Sequence, residues 1–494
     1  MVSPLALSPD WAYHCLYCLK AMSLQDFYVF STSPATPGAS RSMAVLFLPA
    51  NEPKEVCSFM SKRFSPMTVA EIIDTFVPSP NPFRWEAFDG SATGPADAQF
   101  TVKINNLQGL AYIATHPGDV GFARAYVTDG ITVEGEHPAH PYGIFDALHA
   151  MYDKFTRPDA KTLARVARSL ASMGAFQIQP VPEVERASWL RRKLHEGLSK
   201  HSKERDAEVI SDHYDVGNDF YELFLGDSMT YTCAYYPSPD ATLDEAQENK
   251  YRLIFDKLRL KESDRHLDVG CGWGGMVRYA AKRGVKSLGV TLSKEQAEWG
   301  QAKIKEEGLE DLAEIRFMDY RDVTEEGFDA ISAIGLLEHI GVKNYPDFFR
   351  FLNGKLKPGG LMLNHCITYP DNHKTPKGGF IDRYIFPDGE LSGSGTITKC
   401  MQDAGFEVVH TESLRFDYMR TLHDWCENLK ETWEEACSLV GLPTARLWAI
   451  YMAGSEWGFE HNIINLYHFL GVKLGEAGSR SGVPERRWWE DSCF

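Results

Sequence analysis

The 494-residue chain has no stretch approaching the roughly 18 apolar residues that span a bilayer, so any membrane contact is expected to be peripheral. It also lacks a surplus of basic residues. Against 68 Asp and Glu stand 51 Lys and Arg, a formal charge of -17, which argues against a nucleic-acid partner because phosphate neutralisation needs the opposite balance. The ten cysteines are scattered singly rather than spaced as a disulfide framework, as expected of reduced thiols in a cytoplasmic protein. Cys15 and Cys18 have CxxC spacing but no second CxxC or His pair beside them, so no metal centre is expected. Residues 1–59 lack the cationic start and long apolar core of a signal peptide, and residues 31–41 are rich in Ser, Pro, Ala and Gly; the segment reads as a disordered extension.

What is present is a globular composition, 44% hydrophobic and 24% charged, in a chain too long for one core. Two domains are expected, separated by the prolines at 180 and 182. In residues 60–180, short apolar runs such as Phe100-Val102-Ile104 and Ala125-Tyr126-Val127 alternate with the turn pairs Asp129-Gly130 and Glu134-Gly135, and residues 144–155 read as a helix. This predicts a smaller amino-terminal α/β domain. Residues 181–209 predict a basic amphipathic linker helix, with Trp189, Leu190, Leu194 and Leu198 on one face among Arg186, Arg191, Arg192, Lys193, Lys200, Lys203 and Arg205. That pattern suits either an anionic lipid surface or an ordinary solvated helix. From residue 265, strand-like runs at 266–269, 287–291, 315–318, 330–334 and 361–365 alternate with helical segments at 275–283, 294–307 and 345–356. The alternation predicts a doubly wound, Rossmann-like α/β domain over residues 210–475, with ligands beyond the carboxyl ends of the strands. Residues 476–494 read as a polar tail.

The strongest local motif is Asp268-Val269-Gly270-Cys271-Gly272-Trp273-Gly274-Gly275, a strand followed by glycines that allow a tight turn and close backbone approach by a ligand. Gly270, Gly272 and Gly275 also satisfy GxGxxG, so a dinucleotide site competes. That site wants an acid or an arginine about 20 residues onward; here the second strand ends on the uncharged Gly289-Val290-Thr291-Leu292-Ser293. Asp268 precedes the glycines, where a carboxylate can meet the amino group of an amino-acid cofactor. The loop therefore fits S-adenosylmethionine better than NAD. Thr291 and Gln296 can bond ribose or the methionine end, the alternatives being a helix cap and an exposed amide.

Further strings stand in order along the chain: DHYDVGND at 212–219, YTCAYY at 231–236, the loop at 268–275, GVTLS at 289–293 with Gln296, DYRD at 319–322 and EHIG at 338–341. On these strings, residues 210–470 resemble the cyclopropane fatty acid synthase family, which includes the mycolic acid methyltransferases. The resemblance implies a class I methyltransferase domain and places Tyr231, Thr232, Gly270, Gly272, Thr291, Gln296, Tyr320 and Arg321 around S-adenosylmethionine, with Asp268, Cys271, Gly274, Leu292 and Asp319 in the same segments. It also implies a bicarbonate site built from Cys233, Glu338, His365 and Tyr418 with the backbone at Ile367.

The implied reaction adds a one-carbon unit to the double bond of unsaturated acyl chains in phospholipids at the membrane surface, the enzyme lying on the inner face of the membrane. A homodimer is among the expected assemblies. An alkene is a feeble nucleophile, so methyl transfer needs alignment and exclusion of water. The resulting carbocation would be stabilised by Glu338 and bicarbonate, and proton loss gives a cyclopropane or, after a hydride shift, a 10-methylene branch. Tyr235, Tyr236, Tyr384 and Phe386 are candidate aromatic neighbours of the cation. Where the family commonly carries Cys, this chain has Ser455, which leaves the product open. A methyltransferase for a small natural product and a noncatalytic lipid carrier are the competing functions.

Overall fold

The structure is a computed structural model that describes residues 65–77, 81–152, 155–185 and 217–489. The expected extension at 1–59 with Cys15 and Cys18, most of the basic helix at 181–209, the start of the 212–219 string and the last residues of the tail lie outside the described residues.

The first sheet has four strands: β1 (Phe83–Ala87), β2 (Ala92–Thr93), β3 (Phe100–Ile104) and β4 (Ile131–Glu134), in the order β2-β1-β3-β4. β1 and β3 run parallel and the edges antiparallel. The helices here are α1 (Val69–Phe76), α2 (Leu107–Thr115), α3 (Asp119–Val127), α4 (Tyr142–Tyr152) and α5 (Ala160–Met173). Thr68 and Glu71 form a reciprocal capping box that starts α1. The short apolar run Ala125-Tyr126-Val127 closes α3. Val120, Ala123 and Val127 recur at helical spacing and all are buried, so this helix turns one apolar face inward.

The second sheet holds β5 (Arg265–Val269), β6 (Lys286–Thr291), β7 (Ala313–Phe317), β8 (Phe328–Ile334), β9 (Leu356–Thr368), β10 (Phe406–Ser413) and β11 (Asn465–Lys473). Their order is β10-β11-β9-β8-β5-β6-β7. β5 to β9 pair in parallel and β11 is antiparallel to both β9 and β10. The five predicted strands correspond to β5 to β9 in this doubly wound α/β domain. β10 was not expected because Phe406–Ser413 is only half-buried and lacks a continuous apolar run; β11 was not expected either, although it is mostly buried.

The surrounding helices are α6 (Asn218–Leu225), α7 (Leu243–Lys257), α8 (Gly275–Ala281), α9 (Lys294–Glu306), α10 (Leu337–Ile340), α11 (Tyr345–Lys355), α12 (Ser394–Asp403), α13 (Arg415–Glu431), α14 (Trp433–Val440) and α15 (Leu442–Glu460). Among the described residues no helix is long and apolar enough to cross a membrane. Residues 476–489, expected as a polar tail, instead pack on the sheet: Val483 and Trp489 are buried in a cluster with Leu258 and Leu470, and Arg480 grips Glu407 through two hydrogen bonds at 2.6 and 2.8 Å.

The small domain docks on α15 through apolar contacts, with Val127, Ala139 and Phe145 in one cluster with Leu447, Trp448 and Ala449, and through polar ones. Arg124 of α3 makes a bidentate pair with Glu185 at 2.6 and 2.7 Å, with side chains 5% and 2% exposed, and Glu185 also accepts from Tyr384 at 2.6 Å. His140 bridges Glu427 and Glu456 at 2.6 and 2.8 Å, and Trp457 donates to Asp146 at 2.7 Å. Breaking a buried pair on one side strands a charge. We therefore expect Arg124→Met to lower unfolding free energy by about 3–5 kcal/mol in urea titration, and Arg124→Met combined with Glu185→Leu to recover part of it. Equal stability of Arg124→Met and the parent would show that this contact does not hold the domains.

Candidate active site

β5 is buried along its last four residues, and the chain must turn sharply at its end to enter α8. Gly270 and Gly272 make that turn at φ +75° and +55°, a region in which a side chain is strained. A Cβ at Gly272 would meet no protein atom within 4 Å, so this stretch of backbone stands open to a ligand. The cleft above it encloses about 900 Å³ with its mouth counted, within the ordinary range for a small-molecule site. Asp268, Gly270, Cys271 and Gly272 form one wall, Thr291, Leu292 and Gln296 a second, and Tyr320, Tyr231 and Thr232 close it.

Of the residues expected around the cofactor, Gly274, Asp319 and Arg321 do not line this cleft. Gly274 serves packing, since a Cβ there would strike Ile315 Cδ1 at 2.2 Å. Asp319 accepts from the Arg321 backbone at 2.8 Å and from its guanidinium at 2.8 and 2.6 Å, holding the turn that presents Tyr320. The cap alternative also holds in part: Ser293 caps α9, while Thr291 Oγ1 donates to Gln296 Oε1 at 2.9 Å.

Asp268 is buried and accepts from Ser332 Oγ at 2.5 Å; Ser332 in turn meets His266 Nε2 at 2.9 Å, whose Nδ1 meets Ser287 Oγ at 2.8 Å. Burial pushes the Asp268 carboxyl up to about 7. Lys250, which the sequence reading missed, lines the same cleft and donates to Thr232 Oγ1 at 2.9 Å and Gln247 Oε1 at 2.8 Å. Burial pushes it down to about 7. Gln247 and Lys250, polar side chains on the inner face of a helix that follows a Thr242/Glu245 capping box, were the available signal. A cationic amino group entering the cleft would favour the ionised form of Asp268.

Cys233, Glu338, His365 and Tyr418 do not line the cleft but lie behind it. Glu338 on α10 sits between the cleft residues Leu336 and His339, and His365 on β9 pairs in register with the cleft residue Ile334. Glu338 Oε1 accepts from the Ile367 backbone at 2.7 Å, whereas Oε2 is buried without a hydrogen-bond partner. His365 Nε2 is likewise buried without one, its Nδ1 lying 2.8 Å from His468 Nε2. Burial raises the Glu338 carboxyl to about 7 and, with the Lys250 and Lys257 charges, drives His365 well below the ordinary histidine range. Cys233 is a buried thiol donating to the Ala234 carbonyl at 3.0 Å, with its ionisation pushed well up by burial. Tyr418 packs on Phe459 with centroids 4.5 Å apart.

Around these groups lies an aromatic wall of Tyr221, Tyr231, Trp273, Trp425, Trp448 and Tyr451, in which Tyr231 donates to Tyr451 at 3.1 Å. Phe386 joins it, edge-on to Tyr451 and to His339. Tyr235 packs partly buried against this cluster. Tyr236 and Tyr384 are committed elsewhere, donating at 2.6 Å to Asp424 and Glu185.

Residues 201–469 match the family model for mycolic acid cyclopropane synthetase. A probable fatty acid methyltransferase of Mycobacterium tuberculosis is 53% identical over 86% of this chain and 99% of its own length. The cyclopropane-fatty-acyl-phospholipid synthase of Escherichia coli K12 is 35% identical over 56% of this chain and 71% of its own. A solved mycolic acid cyclopropane synthase, in complex with SAH and CTAB, superposes with a TM-score of 0.50 at 32% identity, over 54% of this chain and 98% of that one.

Because Gly272 borders open space at positive φ, Gly272→Val is expected to cost roughly 1–2 kcal/mol of stability but to weaken S-adenosylhomocysteine at least tenfold in calorimetry. Unchanged affinity would remove this loop from the cofactor site.

Proposed function

Since the chain belongs to the mycolic acid cyclopropane synthetase family and is an S-adenosylmethionine-dependent methyltransferase, we propose that it methylates the double bond of unsaturated acyl chains in phospholipids, aided by bicarbonate. The observation that carries this reading is the pair of buried, unpaired atoms Glu338 Oε2 and His365 Nε2 behind the cofactor cleft. A buried polar atom without a partner costs on the order of 1–3 kcal/mol, and a small oxyanion able to accept from a protonated carboxyl and an imidazole N–H would relieve both. The donor set therefore fits bicarbonate.

S-adenosylmethionine supplies an electrophilic methyl group, and bicarbonate a base that can take a proton from the alkylated chain. The protein's own residues do the rest. Asp268 meets the cofactor's amino group; the glycines of the loop let the backbone approach it; Tyr231, Trp425, Trp448 and Phe386 keep water away from a charge that an aqueous nucleophile would quench. Glu338 and His365 hold the anion beside the site where positive charge develops. The names of the relatives, a fatty acid methyltransferase and an acyl-phospholipid synthase, support an acyl chain as acceptor. Ser455, half-buried on α15 where the small domain docks, stands where the family commonly carries Cys and so bears on the product.

Cyclopropane closure and 10-methylene formation share methyl transfer and part at the proton removed. With oleoyl phospholipid vesicles, proton NMR of the product should show upfield cyclopropane or vinylidene resonances; unreacted lipid with cofactor bound would overturn the proposal. Glu338→Gln should bind S-adenosylhomocysteine normally yet lose 100-fold or more of turnover. The same variant tests the burial of this carboxyl. The folded carboxyl holds its proton to about pH 7, but the unfolded one releases it near 4.3. Parent stability should thus fall by a few kcal/mol, relative to Glu338→Gln, as pH rises from about 4.5 to above 7. Parallel urea titrations at pH 5 and 8 read this difference, and a constant gap would place the carboxyl in water.

A further inference from the structure

Behind His365 runs a line of buried polar groups that the proposed chemistry does not yet use. His365 Nδ1 lies 2.8 Å from His468 Nε2, and His468 Nδ1 lies 3.0 Å from Lys257 Nζ. Lys257, with its side chain fully buried, is ion-paired with Glu412, whose side chain is 30% exposed. The groups come from adjacent elements: His365 and His468 are register partners on β9 and β11, Glu412 lies on the neighbouring β10, and Lys257 ends α7.

An ammonium has three donors and no acceptor. Lys257 therefore donates to His468 Nδ1, which must carry no hydrogen. Both imidazoles are held neutral, their basicity pushed well down by burial and by the lysine charges. A neutral His468 with a bare Nδ1 bears its hydrogen on Nε2 and donates it to His365 Nδ1. His365 is then left with its own hydrogen on Nε2, the atom that is buried without a partner. Glu412 remains an anion, because the Lys257 charge and the nearby His410 outweigh its burial and hold it at about 2.

We propose that Lys257, anchored by Glu412, is a positioning residue that sets the tautomers of His468 and His365 in sequence, so that His365 presents an Nε2–H donor to an anion held beside Glu338. The inference rests on the bicarbonate reading above and adds the direction of every hydrogen bond behind it. It also makes His365 a donor and not a base: with Nε2 occupied and Nδ1 accepting, it has no lone pair to offer the substrate side. This is the second-sphere logic by which a histidine's far nitrogen fixes what its near nitrogen can do.

The test uses the full-length enzyme labelled with 15N at histidine, with His365 and His468 assigned from His365→Gln and His468→Gln. Long-range 1H–15N spectra of the parent should show both as Nε2–H tautomers; an Nδ1–H tautomer at either position overturns the proposal without need of a further variant. In Lys257→Met, which keeps length and removes the donor, His468 should lose its single tautomer, and bicarbonate affinity measured by titration should fall about tenfold while S-adenosylhomocysteine affinity stays unchanged. Lys257→Arg should restore the parent tautomers. Parent tautomers and parent bicarbonate affinity in Lys257→Met would overturn the relay while leaving the anion site standing. No bicarbonate binding by the parent, in the presence of S-adenosylhomocysteine, would overturn the anion reading and with it the role assigned to the relay.

Discussion

Desolvation of ionisable groups at the carboxyl ends of β5, β8 and β9 is the constraint on which the rest of this structure depends. Asp268, Lys250, Glu338 and His365 are all removed from water, and each is displaced from its ordinary ionisation by that burial before any neighbour acts. A protein interior tolerates such groups only where hydrogen bonds or opposite charge offset the cost. Here Ser332 and His266 support Asp268, Thr232 and Gln247 support Lys250, and the Ile367 amide supports half of Glu338.

The helices that follow the sheet are arranged to maintain this dryness. α13 and α15 pack against one another and against α6, and their inner faces supply Trp425, Trp448 and Tyr451 to the same cluster as Tyr221 and Tyr231. The small domain docks on α15, where the pairs His140–Glu456 and Trp457–Asp146 tie it down. A domain whose described residues do not line the cofactor cleft therefore braces the helix that seals it.

Family membership and site geometry bear on different questions. The family establishes a methyltransferase fold and its cofactor. The geometry adds that Gly272 of the loop borders open space, that Glu338 and His365 each keep one unpaired atom, and that His365 is backed by a charged lysine through a second histidine. None of these follows from the order of motifs along the chain.

What the sequence determined by itself was local or periodic. The five strands β5 to β9 were legible because each is a short apolar run between helical segments, and the loop at 268–275 because only glycines permit its turn. Strand-to-helix order then placed the cleft beyond the carboxyl ends. What only tertiary structure decided involved residues far apart in sequence. Lys250 became part of the cleft because α7 turns it inward beside Thr232. Tyr236 and Tyr384 were drawn off to carboxylates 188 and 199 residues away. The relay from Glu412 to His365 joins α7, β9, β10 and β11; in the sequence Lys257, Glu412 and His468 are unremarkable side chains, and only strand register brings them into line behind His365. Hydrogen-bond direction is a property of neighbours in space, and spacing along a chain carries no information about it.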